Sequence, residues 1–433
     1  MTAEPNEPAD EPADDLDDDQ AADLGSDVVP ELVPLTHPRD GVPDVVVDER
    51  ALMRAADAIA SGSGPVGIDA ERASGYRYGQ RAYLVQIRRE GSGSWLIDPI
   101  ACPDLSPVGE AIGDAEWILH AATQDLPCLA EVGLHPQTLF DTELGGRLAG
   151  LPRVGLGAMV EHYLGLQLAK EHSAVDWSVR PLPEPWLRYA ALDVEVLVDL
   201  RDAVAAELAS QGKAAWAAEE FDHLLDFTGP EPRIDPWRRT SGMHKVRGRR
   251  GLAIVRELWL WRDAAAQQRD TSPGRVLPDA AISEIAIANQ RATKPPRTVG
   301  SAEPRLARSV RRHQEAIIEV VARALALPDE DLPVLALPPS GPPPPKAWAD
   351  RDPVAAARLA RARELLGAIS EELAVPVENL LTPDLLRRFL WEGPAAPSTA
   401  EVAEALTSMG ARRWQTTITA HLISLACTEN PPA

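Results

Sequence analysis

The stretch that most constrains this chain is Gly64-Pro-Val-Gly-Ile-Asp-Ala-Glu71, a short apolar run ending in two acidic residues. Val66 and Ile68 read as the buried face of a β-strand leaving the Gly/Ser turn Ser61–Gly64. Side chains alternate along a strand, so Asp69 and Glu71 project from one face, about 7 Å apart along the chain. Two carboxylates side by side on a core strand repel each other unless a cation lies between them. A lone Asp-x-Glu also serves as the solvent-facing end of a strand. A metal centre therefore requires more acids, later in the chain, that can meet this pair.

A chain of 433 residues has room for two to four domains, and 45% hydrophobic with 25% charged residues is an ordinary globular balance. No run approaches the ~18 apolar residues of a membrane helix, and the acidic N-terminus lacks a signal-peptide pattern. A soluble, cytoplasmic protein without a membrane partner is expected. Cys102, Cys128 and Cys427 lack any Cys-x-x-Cys spacing and read as buried free thiols. The net charge of −23 argues against nucleic acid only as an average. Residues 1–50 hold sixteen Asp and Glu against two Arg, about −14, whereas residues 237–323 hold eighteen Lys and Arg against eight acids, about +10. A basic domain inside an acidic protein is the footprint that a phosphate backbone requires.

Residues 1 to about 30 are rich in Asp, Glu, Pro and Ala and predict disorder; an acidic tail and lead-in is expected over 1–43. Val45–Val47 predicts a strand, and Asp48 a cap for a helix running to about Ile59. Pro65–Glu71, Tyr83–Arg88 and Ser94–Ile97 predict three strands in an antiparallel meander. Helical and strand pieces then alternate: a helix near Asp104–Ile112, a strand at Trp117–His120, a helix from about Thr123, a strand at Leu139-Phe140, and helices over much of Asp141–Leu208. This is an α/β pattern, a mixed sheet covered by helices, expected over 44–229. Residues 230–328 predict a basic all-α module whose third helix runs over about Arg305–Ala326. Residues 329–346 read as a proline-rich linker, and 347–433 as a second helical module, with Ser398-Thr-Ala-Glu401 as a capping box. The similar lengths of the modules suggest a divergent duplication.

Two more acids join the opening pair. Asp125 follows a strand at the start of a helix, where a carboxylate also simply favours the helix dipole. Tyr189 and Asp193, spaced i, i+4, share one helix face. With Asp69-Ala-Glu71, Asp125, Tyr189-Ala-Ala-Leu-Asp193 and the run Lys170-Glu-His-Ser-Ala-Val-Asp-Trp-Ser-Val-Arg-Pro-Leu182 in this order, the chain resembles the ribonuclease D family of DEDD-type 3′→5′ exonucleases, in its tyrosine class. Sister families carry a histidine five residues before the last aspartate, where this chain has Arg188. The resemblance covers about 44–208 and implies an RNase H-like α/β nuclease domain. It extends to HRDC (helicase-and-RNase-D C-terminal) modules over 238–323 and, more diverged, 347–428.

The resemblance implies a hydrolase acting on RNA 3′ ends, including tRNA or other structured precursors, and releasing nucleoside 5′-monophosphates. DNA is the alternative substrate, and a nucleic-acid-binding scaffold with a vestigial site the alternative of another class. Phosphodiester hydrolysis needs hydroxide delivered to phosphorus and a stabilised leaving alkoxide, tasks that two divalent ions about 3.5–4 Å apart can perform. Oxygen donors suit Mg²⁺ or Mn²⁺. By resemblance Asp69 bridges the ions, Glu71 and Asp193 complete the site of the attacking water, Asp125 serves the second ion, and Tyr189 orients the nucleophile without binding metal. Lys170, Ser173 and Trp177 are candidate substrate contacts or packing residues, and Arg247, Arg249 and Arg250 candidate phosphate contacts. His120 reads as structural, and Glu195 and Asp199 as a solvated helix face.

Overall fold

The computed structural model of the protein describes residues 32–169, 174–301, 303–337 and 341–429. Its strands are β1 (Val33–Leu35), β2 (Val45–Val46), β3 (Ser63–Arg72), β4 (Ala82–Glu90), β5 (Gly93–Ile97), β6 (Trp117–Leu119), β7 (Leu139–Asp141) and β8 (Leu166–Leu168). Six of them form one mixed sheet in the order β2-β5-β4-β3-β6-β7. β3, β4 and β5 are the expected antiparallel meander; β6 runs parallel to β3, and β7 parallel to β6. The strand of the acid pair thus lies inside the sheet, with a partner on each side.

Alternation along β3 divides two cores. Val66 and Ile68 are fully buried with Ile87 and Val85 under the helices Glu49–Ala60 and Ser106–Ile112. Asp48 caps the first of these, accepting from the Ala51 N–H at 2.8 Å. On the opposite face Leu84 and Leu96 pack with Trp177, Ala190 and Ala191, so the helix Glu184–Glu195 covers the side from which Asp69 and Glu71 project. All three cysteines are buried and free.

The lead-in before residue 44 is partly a piece of the nuclease. β1 pairs in parallel with β8, and Leu35 packs against a core that includes Val160 and Val204. Each of these strands is three residues long, too short to announce itself in the sequence. The acidic residues before 32 lie outside the described residues.

The two helical modules share one plan. The first runs through Gly248–Gln268, Pro273–Val276, Asp279–Asn289, Pro304–Arg312 and Gln314–Ala326; the second through Pro353–Leu373, Val377–Leu380, Pro383–Glu392, Thr399–Ser408 and Arg413–Thr428. In both, a 21-residue helix is followed by a 4-residue turn of helix, preceded in the second module by the short helix Trp348–Arg351, and each module has its own apolar core. The Ser398–Glu401 capping box is present. The third helix expected over 305–326 is two helices, broken at His313 (φ −116°, ψ 19°). The break lets Leu306 and Val310 face the same core as Ile317 and Val321.

The expected linker is only partly a spacer. Arg249 donates to the carbonyls of Asp329 and Leu332, both at 2.7 Å, fastening the segment to the first module. At its far end the Trp348 indole N–H donates to the Pro343 carbonyl at 2.7 Å. Residues 338–340 lie outside the described residues.

Candidate active site

β3 delivers Asp69 and Glu71 to one face, and the helix Glu184–Glu195, laid across that face, brings Asp193 to meet them. Carboxylate oxygens of Asp69, Glu71 and Asp193 lie within 4.8 Å of one another, the one set of His, Cys, Asp or Glu side chains among the described residues that converges this closely. Gly67 makes the approach possible: a Cβ there would lie 3.2 Å from Leu197 Cβ and 3.3 Å from the Val194 carbonyl. The cleft has a volume of about 660 Å³ and is also lined by Arg72, Asp125, Glu143 and Tyr189.

Asp125 reaches the cleft from the turn after β6. It hydrogen-bonds Asp69, and the Arg72 guanidinium lies 3.7 Å from its Oδ1. The turn contains Ala121, which holds a left-handed conformation (φ 59°, ψ 55°) that a residue with a Cβ seldom adopts. Asp141, at the end of β7, holds the turn in place. Its carboxylate accepts from the N–H groups of Ala121 (3.1 Å), Ala122 (2.8 Å), Glu143 (2.9 Å) and Leu144 (3.1 Å), which also caps the helix Thr142–Ala149. Sequence reading overlooked Asp141. The one signal available was an acid directly before a helical stretch.

Electrostatics here are those of negative charge without enough counter-charge. Burial raises the pKa of Asp69, Asp125 and Asp193; it also lifts Glu71 well above its ordinary range, with the charges of Asp69, Asp193 and Asp125 adding to the rise. The Asp69–Asp125 hydrogen bond needs a proton held between the two carboxylates. Burial, then the Asp193 charge, also raises the Tyr189 phenol, which donates to Asp193 and so keeps its proton. His120 is pushed down to about 4 by burial, with its Nδ1 2.9 Å from Thr142 Oγ1, a structural role. An all-oxygen donor set with surplus negative charge fits hard divalent cations.

Other candidates fare differently. Lys170 and Ser173 lie outside the described residues. Trp177 is fully buried, its ring 5.5 Å from that of Trp186, so it packs beneath the site and cannot touch substrate. Arg249 and Arg250 turn inward to their own module, whereas Arg247 stays exposed. Arg249 binds the 329–333 segment, Arg250 donates to the carbonyls of Ala324 (3.2 Å) and Leu327 (2.7 Å), and Arg247 donates to the His244 carbonyl. The Arg249 and Arg250 guanidiniums, spent this way, are poor phosphate contacts. Further exposed cations lie elsewhere in the module: Lys294, Arg297, Arg305, Arg308, Arg311 and Arg312 form no ion pair among the described residues. Glu195 is buried, not solvated, with Arg39 at 3.1 Å and Arg88 at 3.0 Å.

Comparison with known proteins agrees with this geometry. Residues 44–209 match the 3'-5' exonuclease family, residues 251–298 the HRDC domain, and residues 341–427 the 3' to 5' exonuclease C-terminal domain. Ribonuclease D of Desulfotalea psychrophila is 30% identical over 274 residues, 62% of this chain and 72% of that protein. A protein from Bifidobacterium adolescentis of known crystal structure is 39% identical, with a TM-score of 0.80 over 92% of this chain and 100% of the other. Escherichia coli RNase D, at 24% identity, shares the fold, with a TM-score of 0.63 over 90% of this chain and 99% of the other. The acids gathered on one sheet face, the helical modules behind them and these likenesses lead to one conclusion: the chain belongs to the ribonuclease D family and is a 3′→5′ exoribonuclease.

Proposed function

We propose that the enzyme removes nucleotides one at a time from RNA 3′ ends and releases nucleoside 5′-monophosphates, with Mg²⁺ or Mn²⁺ held by Asp69, Glu71, Asp125 and Asp193. The observation that carries this reading is the convergence of three carboxylates within 4.8 Å. Asp69, Glu71 and Asp193 would hold one ion, and Asp69 with Asp125 a second. When bound, divalent ions neutralise charge on the phosphate and leaving oxygen and acidify water. The chain's own groups do the positioning. Tyr189, protonated and tied to Asp193, offers a hydrogen bond that orients the attacking water. Asp141 fixes the turn that carries Asp125, and Gly67 sets the distance between the strand and the helix.

Residues 44–229 carry the chemistry in this reading, with 230–328 and 347–433 holding the body of the RNA. The exposed arginines on the helix Pro304–Arg312 suit a phosphate backbone. The E. coli relative is described as an exoribonuclease involved in structured RNA processing. We take 3′ ends of structured RNA, tRNA precursors among them, as the substrate class. The test uses 3′-labelled RNA and a DNA strand of the same sequence, each with Mg²⁺, Mn²⁺ or a chelator. Labelled mononucleotide should appear from RNA with either ion, far more slowly from DNA, and not with chelator. Internal fragments, or release that survives the chelator, would contradict the reading.

A further inference from the structure

Tyr189 separates two hollows. On one side lies the acid cleft; on the other, a second cleft of about 270 Å³ is lined by Thr36, His37, Pro185, Arg188, Tyr189 and Leu192. The helical members fall at i, i+3, i+4 and i+7, one stripe of the helix Glu184–Glu195, and Tyr189 and Asp193, at i and i+4, line the acid cleft on the other side. One helix thus presents catalytic acid on one side of the tyrosine and a cation on the other.

The cation is held ready. Arg188 Nη1 lies 3.3 Å from His37 Nε2 and 3.7 Å from Glu184, while Nε and Nη2 have no partner among the described residues. A guanidinium only donates, so His37 Nε2 must accept; its Nδ1 then carries the proton and donates to Thr36 Oγ1 at 3.0 Å. His37 is itself anchored, by β1 pairing with β8 before it and by Arg39, 2.9 Å from Asp199, after it. The other guanidinium near the acids, Arg72, is engaged by Gln124 at 3.2 Å and by Asp125.

We infer that the cleft behind Tyr189 is a binding site for the RNA phosphate immediately upstream of the scissile one, with Arg188 as its ligand and His37 as the group that orients it. This rests on the exonuclease reading above. The acid cleft repels any phosphate not neutralised by its ions, so the strand leaving the scissile position needs a cation nearby. Arg188, on the far wall of Tyr189, has a planar fork of donors that matches phosphate oxygens.

A dinucleotide with a 5′-hydroxyl contains only the scissile phosphate, and a trinucleotide adds the upstream one. With Mg²⁺ the wild-type enzyme should prefer the trinucleotide by about ten- to a hundredfold in kcat/KM, the range of one charge-assisted contact. That ratio, which does not depend on the fraction of folded enzyme, should collapse toward one in Arg188→Ala and fall part of the way in Arg188→Lys and His37→Ala. A neutral methylphosphonate at the upstream linkage should cost the wild type the same factor and cost Arg188→Ala nothing further. The inference is overturned if Arg188→Ala keeps the preference, if the methylphosphonate penalises both enzymes equally, or if the wild type shows no preference. Failure of the wild type to cleave either RNA with Mg²⁺ or Mn²⁺ would overturn it together with the exonuclease reading.

Discussion

Asp69, Glu71, Asp125 and Asp193 sit closer together than their charges favour, and the metal-free protein bears that cost. Their pKa values are raised, so their contribution to stability is full below the unfolded values near 4 and is lost as pH rises through the higher folded values. Protons and divalent ions therefore compete for the same oxygens. In thermal unfolding, the gain in Tm on adding Mn²⁺ should be small at pH 5.5 and grow toward pH 8; an equal gain at both would contradict this account. Asp193→Asn removes one charge and should raise the metal-free Tm at pH 8 by a few degrees, at ~2–4 °C per kcal/mol for a unit of this size, while shrinking the response to Mn²⁺.

At the scale of elements, the site depends on a turn and on a close approach. Asp141 accepts four backbone N–H groups, and two of them belong to the turn that sets Asp125. Asp141→Ala would leave those donors unpaired and remove a helix cap. A loss of about 2–4 kcal/mol is expected in denaturant unfolding, together with reduced turnover at saturating Mn²⁺. Unchanged turnover in a destabilised but folded variant would limit Asp141 to a purely structural role. The pairing of Asp69 with Glu71 and of Tyr189 with Asp193 was legible in the sequence, because alternation along a strand and the i, i+4 spacing of a helix fix side-chain direction locally; that these and Asp125 form one site was what the family resemblance implied. Asp141 was not legible, because its partners Ala121 and Ala122 lie 20 and 19 residues away in sequence. The same reason hid the inward turn of Arg249 and Arg250 and the β1–β8 pair: each depends on what a distant segment brings to it. In sequence Trp177 suits packing and substrate contact alike, because aromatic residues serve both, and only the fold decides.

In the whole molecule the two helical modules dock by different physics. The first meets the loop after β3 through polar contacts: the Tyr78 hydroxyl donates to Asp263 at 3.0 Å, and Arg275 to the Gly75 carbonyl at 2.8 Å. The second is built into the nuclease. Arg412 grips the buried Glu220 with two donors at 2.8 and 2.7 Å, the Trp414 indole donates to the same carboxylate, and Trp216 and Trp414 stack with centroids 5.1 Å apart. Val375, Leu380 and Trp414 share a core with Phe140 and Met159. Removing everything after Gly229 would therefore open the core of the nuclease. Glu220→Ala, which strands Arg412 and the Trp414 N–H, should cost about 3–5 kcal/mol in global unfolding, whereas Tyr78→Phe should cost no more than ~1.5. Equal effects would mean that the modules dock alike. Single-turnover RNA cleavage by Asp69→Ala, Tyr189→Phe and the double variant shows whether one carboxylate set served by one tyrosine does all the hydrolysis. Asp69→Ala should lose several orders of magnitude, Tyr189→Phe roughly 10- to 1000-fold with metal affinity nearly intact, and the double variant little more than Asp69→Ala. Wild-type turnover in Tyr189→Phe, or substantial cleavage by Asp69→Ala, would contradict the account.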